Sequence, residues 1–291
     1  MPLDATLPDS RVHGIEFEES DHVYTLNGVT APISVTGLIS KHFAEFDGPA
    51  VVEQYFDRWK RKPTSNYYGL IQQFTNDEDA KRAILNSWEA KKNEACRLGT
   101  ATHRSIELLL NGAPLETCGD PEIEDEINAF LVWHDRKMRV EGWSTVATEL
   151  LIGGLDAEGQ LCLGGAVDAL FTNRAGEYVL VDWKRTAKEF GPDEDTRFAN
   201  PGTGPVRELL DSKYNRYSLQ LAVYSGMLKS CMGIDVGDRR YLVRLSGADG
   251  AQQIDASGAV FDRVAEALLR EAGVVAPEEA APPASPKRQK C

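Results

Sequence analysis

Residues 177–186 read EYVLVDWKRT. The run from Tyr178 to Val181 is aromatic, β-branched or aliphatic, which favours a strand. The two-residue period of a strand puts Asp182 and Lys184 on one face and Trp183 on the other. Taken alone, an acid and a lysine on one strand face are an ordinary surface pair. The preceding residues change that reading. QLCLGGAVDALF, at 160–171, is a second β-type run, and TNRAG, at 172–176, reads as the turn between the two. Pairing Thr172 with Tyr178 sets Asp168 opposite Asp182. Their Cβ atoms would stand about 5 Å apart, which is destabilising unless positive charge lies between them. Lys184 is two residues along the same face. Two acids and a lysine on adjoining strands suit a hard divalent cation, since Mg2+ is typically held by one or two carboxylates, water and substrate phosphate.

Working outward, STVATELLI at 144–152 completes an antiparallel meander of three strands. Everything from residue 34 to 142 reads as helical. HVYTLNGVTAPISV suggests a hairpin through Asn27 and Gly28, and SVTGLISKHF starts a helix that either Ser34 or Thr36 would cap, leaving free amides for a phosphate. A helix is expected over 77–98, ended or broken at Gly99. A second follows in GTATHRSIELLLNG, where His103, Ile106 and Leu110 share a stripe and Gly112 closes the element. An inward histidine is commonly a hydrogen-bonded core residue, so His103 alone does not announce a ligand. Pro121 opens a further helix through Val140, with Ile123, Ile127, Phe130, Leu131 and His134 near one face.

After the meander, residues 187–212 are rich in Gly, Pro and Asp and read as a long loop. KYNRYSLQLAVYSGMLKSCMG returns to helix, with Gln220 and Tyr224 four apart and able to share a face. RRYLVRL is another strand, and residues 256–273 form a last amphipathic helix with Phe261, Val264 and Leu268 in register. Residues 1–20 read as a polar, flexible arm and 272–291 as a disordered tail, leaving one domain over 21–271. The expected fold class is α/β (α+β), a mixed sheet with an antiparallel meander flanked by helices and a helical elaboration over 34–142.

The chain has 291 residues, 42% hydrophobic and 26% charged, a balance that suits a globular protein with a sizeable core. No apolar run approaches the length of a membrane span and the first residues lack the pattern of a signal peptide, so an intracellular protein without a membrane partner is expected. Five cysteines without CxxC spacing argue against a zinc ribbon and a disulfide framework. The formal charge of −13 is the wrong sign for tight nonspecific binding of nucleic acid, so any such binding must be local. Candidate basic clusters are Lys60 to Lys62, Lys91 with Lys92, Lys184 with Arg185, Lys213 with Arg216, and Arg239 with Arg240; such clusters are commonly just solvated faces. The tail PKRQKC is compatible with nuclear import, and Ser285 before Pro286 with phosphorylation.

The order of helix GTATH, strand GGAVD, strand VDWK and helix QLAVY resembles the RecB-like branch of the PD-(D/E)XK nuclease superfamily, over about residues 95–230, with an echo of its mitochondrial and viral members in SVTGLI. That resemblance implies a restriction-endonuclease-like core. It implies that His103, Asp168, Asp182 and the carbonyl of Trp183 ligate Mg2+ or Mn2+, and that Lys184 positions the attacking water and stabilises charge at the phosphate. Gln220 and Tyr224 would orient the strand or the water. Glu149 corresponds to a further acid of this branch, its face depending on whether Gly164 and Gly165 bulge the sheet; Glu107 is equally well explained as the partner of an arginine. Arg185, Lys213, Arg216, Tyr217 and Thr36 are the expected nucleic-acid contacts. The four-cysteine pattern by which some members hold an iron–sulfur cluster is lacking, as is GxxxxGK[ST], so neither a cluster nor a nucleotide cofactor is expected. The implied activity is a DNase, an exonuclease on single-stranded or free-ended DNA, working as a monomer. A structure-specific endonuclease and a non-catalytic binding module remain the alternatives.

Overall fold

A computed structural model describes residues 14–18, 21, 23–197 and 199–274. Where the sequence suggests one domain over 21–271, the chain divides into two compact units, Met1–Ala44 with His103–Cys291, and Glu45–Thr102.

The first unit begins with a small antiparallel sheet of β1 (Ile15–Glu18), β2 (Val23–Leu26) and β3 (Val29–Thr30). β1 lies inside the stretch expected as a flexible arm. Ile15 and Phe17 alternate with Glu16 and Glu18, and both apolar side chains pack on the core, which ties the strand down. The β2–β3 turn falls at Asn27 and Gly28, both with positive φ (51° and 79°), as the sequence predicts. α1 (Val35–Ser40) is capped by Ser34, whose side chain accepts the Gly37 N–H; Thr36 stands exposed beside it.

The second unit is helical: α2 (Gly48–Arg61), α3 (Tyr68–Ile71) and residues 77–102 of α4 (Asp77–Leu110). Its core is Val52 and Phe56 of α2, Ile71 of α3, and Ala80 and Ile84 of α4. Gly99, expected to end a helix, is passed without a break. A glycine costs a helix interior only about 1 kcal/mol, and α4 runs on through it for 34 residues in all.

Residues 103–110 of α4 return to the first unit. α5 (Glu124–Asp135) begins three residues after Pro121 and passes into a π-helical turn, Arg136–Glu141, so the regular helix is shorter than the expected 121–140. β4 (Ser144–Leu155), β5 (Leu161–Thr172) and β6 (Tyr178–Arg185) form the antiparallel meander. α6 (Lys213–Met232) then leads to β7 (Arg240–Ser246), which pairs parallel to β6. β8 (Gly250–Asp255) adds an antiparallel edge that the sequence reading passed over, and α7 (Ala259–Glu271) packs on α6. The mixed sheet has the order β4-β5-β6-β7-β8. The architecture is therefore α+β.

Helices cover both faces of this sheet. On one, Trp183 meets Phe130 and Trp133 of α5 edge-to-face, with ring centroids 5.3 and 5.2 Å apart. On the other, Leu180 joins the buried cluster that α6 completes with Leu219, Ala222, Val223 and Met227. The irregularities in the β4–β5 pairing fall at Thr145/Ala147 and Gly154/Leu155 of β4. Gly164 and Gly165, expected to bulge, pair regularly with Gly153 and Ile152; their missing side chains serve Tyr24 and Tyr224, whose rings occupy the space a Cβ would need, at 2.4 and 2.7 Å. Of the expected tail, Val274 is held by a hydrogen bond from its N–H to the Leu269 carbonyl, and residues 275–291 lie outside the described residues.

Candidate metal centre

The register between β5 and β6 decides the site. Thr172 pairs with Tyr178, and the ladder continues through Phe171↔Val179 and Leu170↔Leu180 to Ala169↔Val181. The next residues in line are Asp168 and Asp182, the juxtaposition the sequence predicts. At this step the Asp168 carboxylate takes over from the backbone: Oδ2 accepts the Trp183 N–H at 2.8 Å. Across the other edge of β5, Glu149 falls between the pairs Thr148↔Ala169 and Leu150↔Val167, so it too stands beside Asp168. Its φ is +45°, a left-handed conformation that costs a side chain with a Cβ roughly 1–2 kcal/mol.

His103 reaches this strand end from α4. Its Nε2 lies 3.0 Å from the Trp183 carbonyl, a distance that makes Nε2–H the donor. Nδ1 then faces the acids, 3.5 Å from Asp168 Oδ2 and 3.8 Å from Glu149 Oε1. Donation by one ring nitrogen to a carbonyl is the usual way a ligating histidine has its other nitrogen aimed. His103, Glu149 and Asp168 each offer a ligand atom within 4.8 Å of the others. Burial works against protonating His103, but Asp168, Glu149 and Asp182 outweigh it and raise its pKa to about 9. Without a cation, the imidazole carries the charge that the carboxylates require.

Asp182 is 1% exposed. The Lys184 ammonium lies 2.6 Å from its Oδ2, yet that oxygen has no well-aligned hydrogen bond; the contact is an ion pair by distance alone. Burial first, and Asp168 second, raise the Asp182 pKa, with Lys184 opposing them. Burial would lower the Lys184 pKa, but Asp182 and Asp168 hold it above its ordinary value, so Lys184 is cationic. Its Nζ also sits 4.7 Å from the centroid of the Tyr217 ring. On α6, Gln220 Nε2 donates to Tyr224 Oη at 2.9 Å, and burial pushes the Tyr224 hydroxyl well above the usual phenol range.

The donor set fits a hard divalent cation. It combines one imidazole nitrogen with oxygens of Glu149 and Asp168 and, beside them, the Asp182 carboxylate, whose buried Oδ2 lacks an aligned donor. Three carboxylates against one lysine and one histidine leave negative charge in excess. Glu149, not Asp182, groups with His103 and Asp168; Asp182 is turned toward Lys184.

The other residues singled out in the sequence lie elsewhere or serve other partners. Arg185 is on the Trp183 face of β6 and pairs with Glu126 at 3.1 Å. Arg216 holds Asp211 and stacks over Phe43, 4.3 Å from its centroid. Lys213 has its pKa lowered by burial and by Lys188, and Glu107 pairs with Arg104 at 2.9 Å. One neighbour went unnoticed in the sequence. Tyr24 of β2 is buried near the acids, and burial, then Glu149 and Asp168, push its hydroxyl up to about 12. The paired glycines 164 and 165 were its signal, since bare backbone in a strand marks a close approach.

No protein-family model matches the chain and no curated protein does. A solved structure described as "Crystal structure of SSO0001" is 13% identical over 60% of this chain and 74% of that one; its TM-score of 0.28 carries no argument. No helix among the described residues is long and apolar enough to cross a membrane.

Proposed function

We propose that this chain is a divalent-metal-dependent nuclease of the RecB-like PD-(D/E)XK kind, hydrolysing phosphodiester bonds in DNA as an exonuclease on single-stranded or free-ended substrate. The observation that carries the reading is the convergence of His103, Glu149, Asp168, Asp182 and Lys184 at one strand end, with Asp168 against the backbone of Trp183. Composition gives no reason for a protein to gather three carboxylates there and to hold one of them in the left-handed region.

His103 Nδ1, Glu149 and Asp168 would hold Mg2+ or Mn2+, with Asp182 next to them. Such a cation would supply positive charge to the phosphate and make water more acidic near neutral pH. The protein's own groups do the rest. Lys184 stays protonated, so its Nζ donates hydrogen bonds and places a fixed positive charge where negative charge grows on the phosphate. Asp182 holds that ammonium in place. Trp183 fixes His103 through its carbonyl and Asp168 through its N–H, so one residue of β6 orients two ligands. The Gln220–Tyr224 pair presents polar atoms from α6 that would orient the attacking water or the strand.

The test is cleavage of end-labelled single-stranded DNA by the purified protein with Mg2+ or Mn2+. Asp168→Asn and Lys184→Ala should each lower the rate on the order of a hundredfold or more. Undiminished cleavage by either variant defeats the mechanism. Cutting of closed circular DNA would replace the exonuclease with an endonuclease, and a calorimetric titration with Mn2+ that shows no binding would leave only a non-catalytic module.

A further inference from the structure

The helical unit Glu45–Thr102 carries a feature that the nuclease site does not use. Five aromatic rings are in mutual contact within it. Phe46 lies 5.7 Å from Trp88, Trp88 5.9 Å from Tyr67, Tyr67 4.6 Å from Trp59, and Trp59 5.9 Å from Tyr55, centroid to centroid. Trp59, Tyr67 and Trp88 pack with one side against the helical core of Val52, Phe56, Ile71, Ala80 and Ile84, whereas Phe46 and Tyr55 are not part of that packing. The two ends of the row are open to solvent, Phe46 at 74% and Tyr55 at 37% exposure. Between them, Trp59, Tyr67 and Trp88 are half-buried, and the Trp88 indole N–H donates to Tyr67 Oη at 2.9 Å, which fixes both rings.

Charge is interleaved with these rings. On α2, Tyr55, Arg58 and Trp59 follow the i, i+3, i+4 spacing of one helical stripe, and Lys62 is the extended residue that ends the helix. Arg58 and Lys62 are exposed and have no acidic partner among the described residues, whereas Lys60 is paired with Asp77 and Arg61 lies 3.8 Å from Asp57. The unit holds nine Lys and Arg against nine Asp and Glu, while the whole chain carries −13. The net charge of −13 therefore belongs entirely to the other unit, and this one, net neutral, repels a polyanion less.

We propose that the Phe46–Tyr55 ring row, with Arg58 and Lys62, is a binding surface for single-stranded nucleic acid. Aromatic faces accept any base by stacking, and cations beside them take the phosphates. Stacking on the rings requires bases freed from pairing and from their own stack, which favours one strand over two. A protein partner would bury the rings but give no reason for unpaired cations at alternate positions. The inference does not depend on cleavage.

Binding of a fluorescently labelled oligo(dT) to the full chain in EDTA, read by anisotropy, tests it, with indole fluorescence as a second signal. The wild type should bind with quenching of Trp59 and Trp88. Tyr55→Ala and Phe46→Ala alter exposed rings and should each weaken binding roughly five- to a hundredfold, as loss of one stacking partner does. Arg58→Gln with Lys62→Gln should weaken it and flatten its salt dependence. EDTA removes the cation on which cleavage would depend, so the ring variants report on this surface apart from the metal centre. Unchanged affinity in both ring variants, equal affinity for duplex of the same length, or no binding by the wild type would each overturn the proposal.

Discussion

Replacing Lys184 by methionine removes the cation that faces Asp182 while keeping most of the side chain's volume. Asp182 is buried, and its Oδ2 has no other partner to turn to. Breaking a buried ion pair from one side costs about 3–5 kcal/mol. Lys184 keeps 18% of its side chain exposed, which sets the expected loss near the lower limit, about 3 kcal/mol. For a protein of this size that is a fall in Tm of roughly 6–12 °C. Replacing both partners, Asp182→Leu with Lys184→Met, leaves no uncompensated charge and should recover most or all of the loss. The pH dependence has a definite sign. Asp182 has its pKa raised from 3.8 to about 6 by burial and Asp168, so the folded state holds a proton that the unfolded state releases, and this contribution to stability falls as pH rises through that window. Without Lys184 the folded pKa climbs further, and the deficit of Lys184→Met should be larger at pH 8 than at pH 5. Thermal melts in EDTA at both pH values measure all of this. A single variant within about 2 °C of the wild type, or a double variant worse than the single, would refute the picture of a tightly buried pair.

Two further outcomes follow from the same centre. His103 has its pKa raised from 6.5 to about 9, so its contribution to the stability of the metal-free protein is complete below 6.5 and is lost as pH rises through 9. A cation at Nδ1 must displace that proton, so Mn2+ affinity should rise with pH up to about 9, with proton release visible by calorimetry in buffers of different ionisation heat; His103→Asn should abolish the release, and an affinity flat between pH 6 and 9 would contradict it. Glu149 holds a φ of +45°, so Glu149→Gly should be more stable than Glu149→Ala by about 1 kcal/mol, while both lose Mn2+ affinity. Equal melting temperatures for the two variants would show that the backbone there is not strained.

The sequence reveals most about the site where geometry is local. TNRAG fixes a tight turn, the alternation on either side of it fixes the register, and from these the facing of Asp168 and Asp182 follows without tertiary information. His103 was legible because a helix stripe is periodic. Glu149 came into the candidate set through the family resemblance alone, because its direction depends on an irregularity of β4 at Thr145/Ala147 and on its own positive φ, and neither leaves a compositional trace. β8 was missed for a related reason: in GAQQID only Ile254 is buried, so an edge strand held by its backbone shows little alternation. The run through Gly99 failed in the opposite direction, since a glycine is a stop signal only where no neighbouring turn has reason to continue. The ring row of the helical unit was present in the sequence as separate aromatics, but only the packing of α2 against α4 joins Trp59 with Trp88.

The hydrogen bond from the Trp183 N–H to Asp168 ties folding accuracy to chemistry. Sliding β6 one position along β5 would carry the indole of Trp183 to the face that α6 covers, among the carboxylates, and push Asp182 into the aromatic layer beneath α5. A molecule mispaired in that way would forfeit its cation site together with its core. Copies that fold wrongly would thereby lack the site as well, so whatever chemistry it performs is confined to molecules whose core is correctly built.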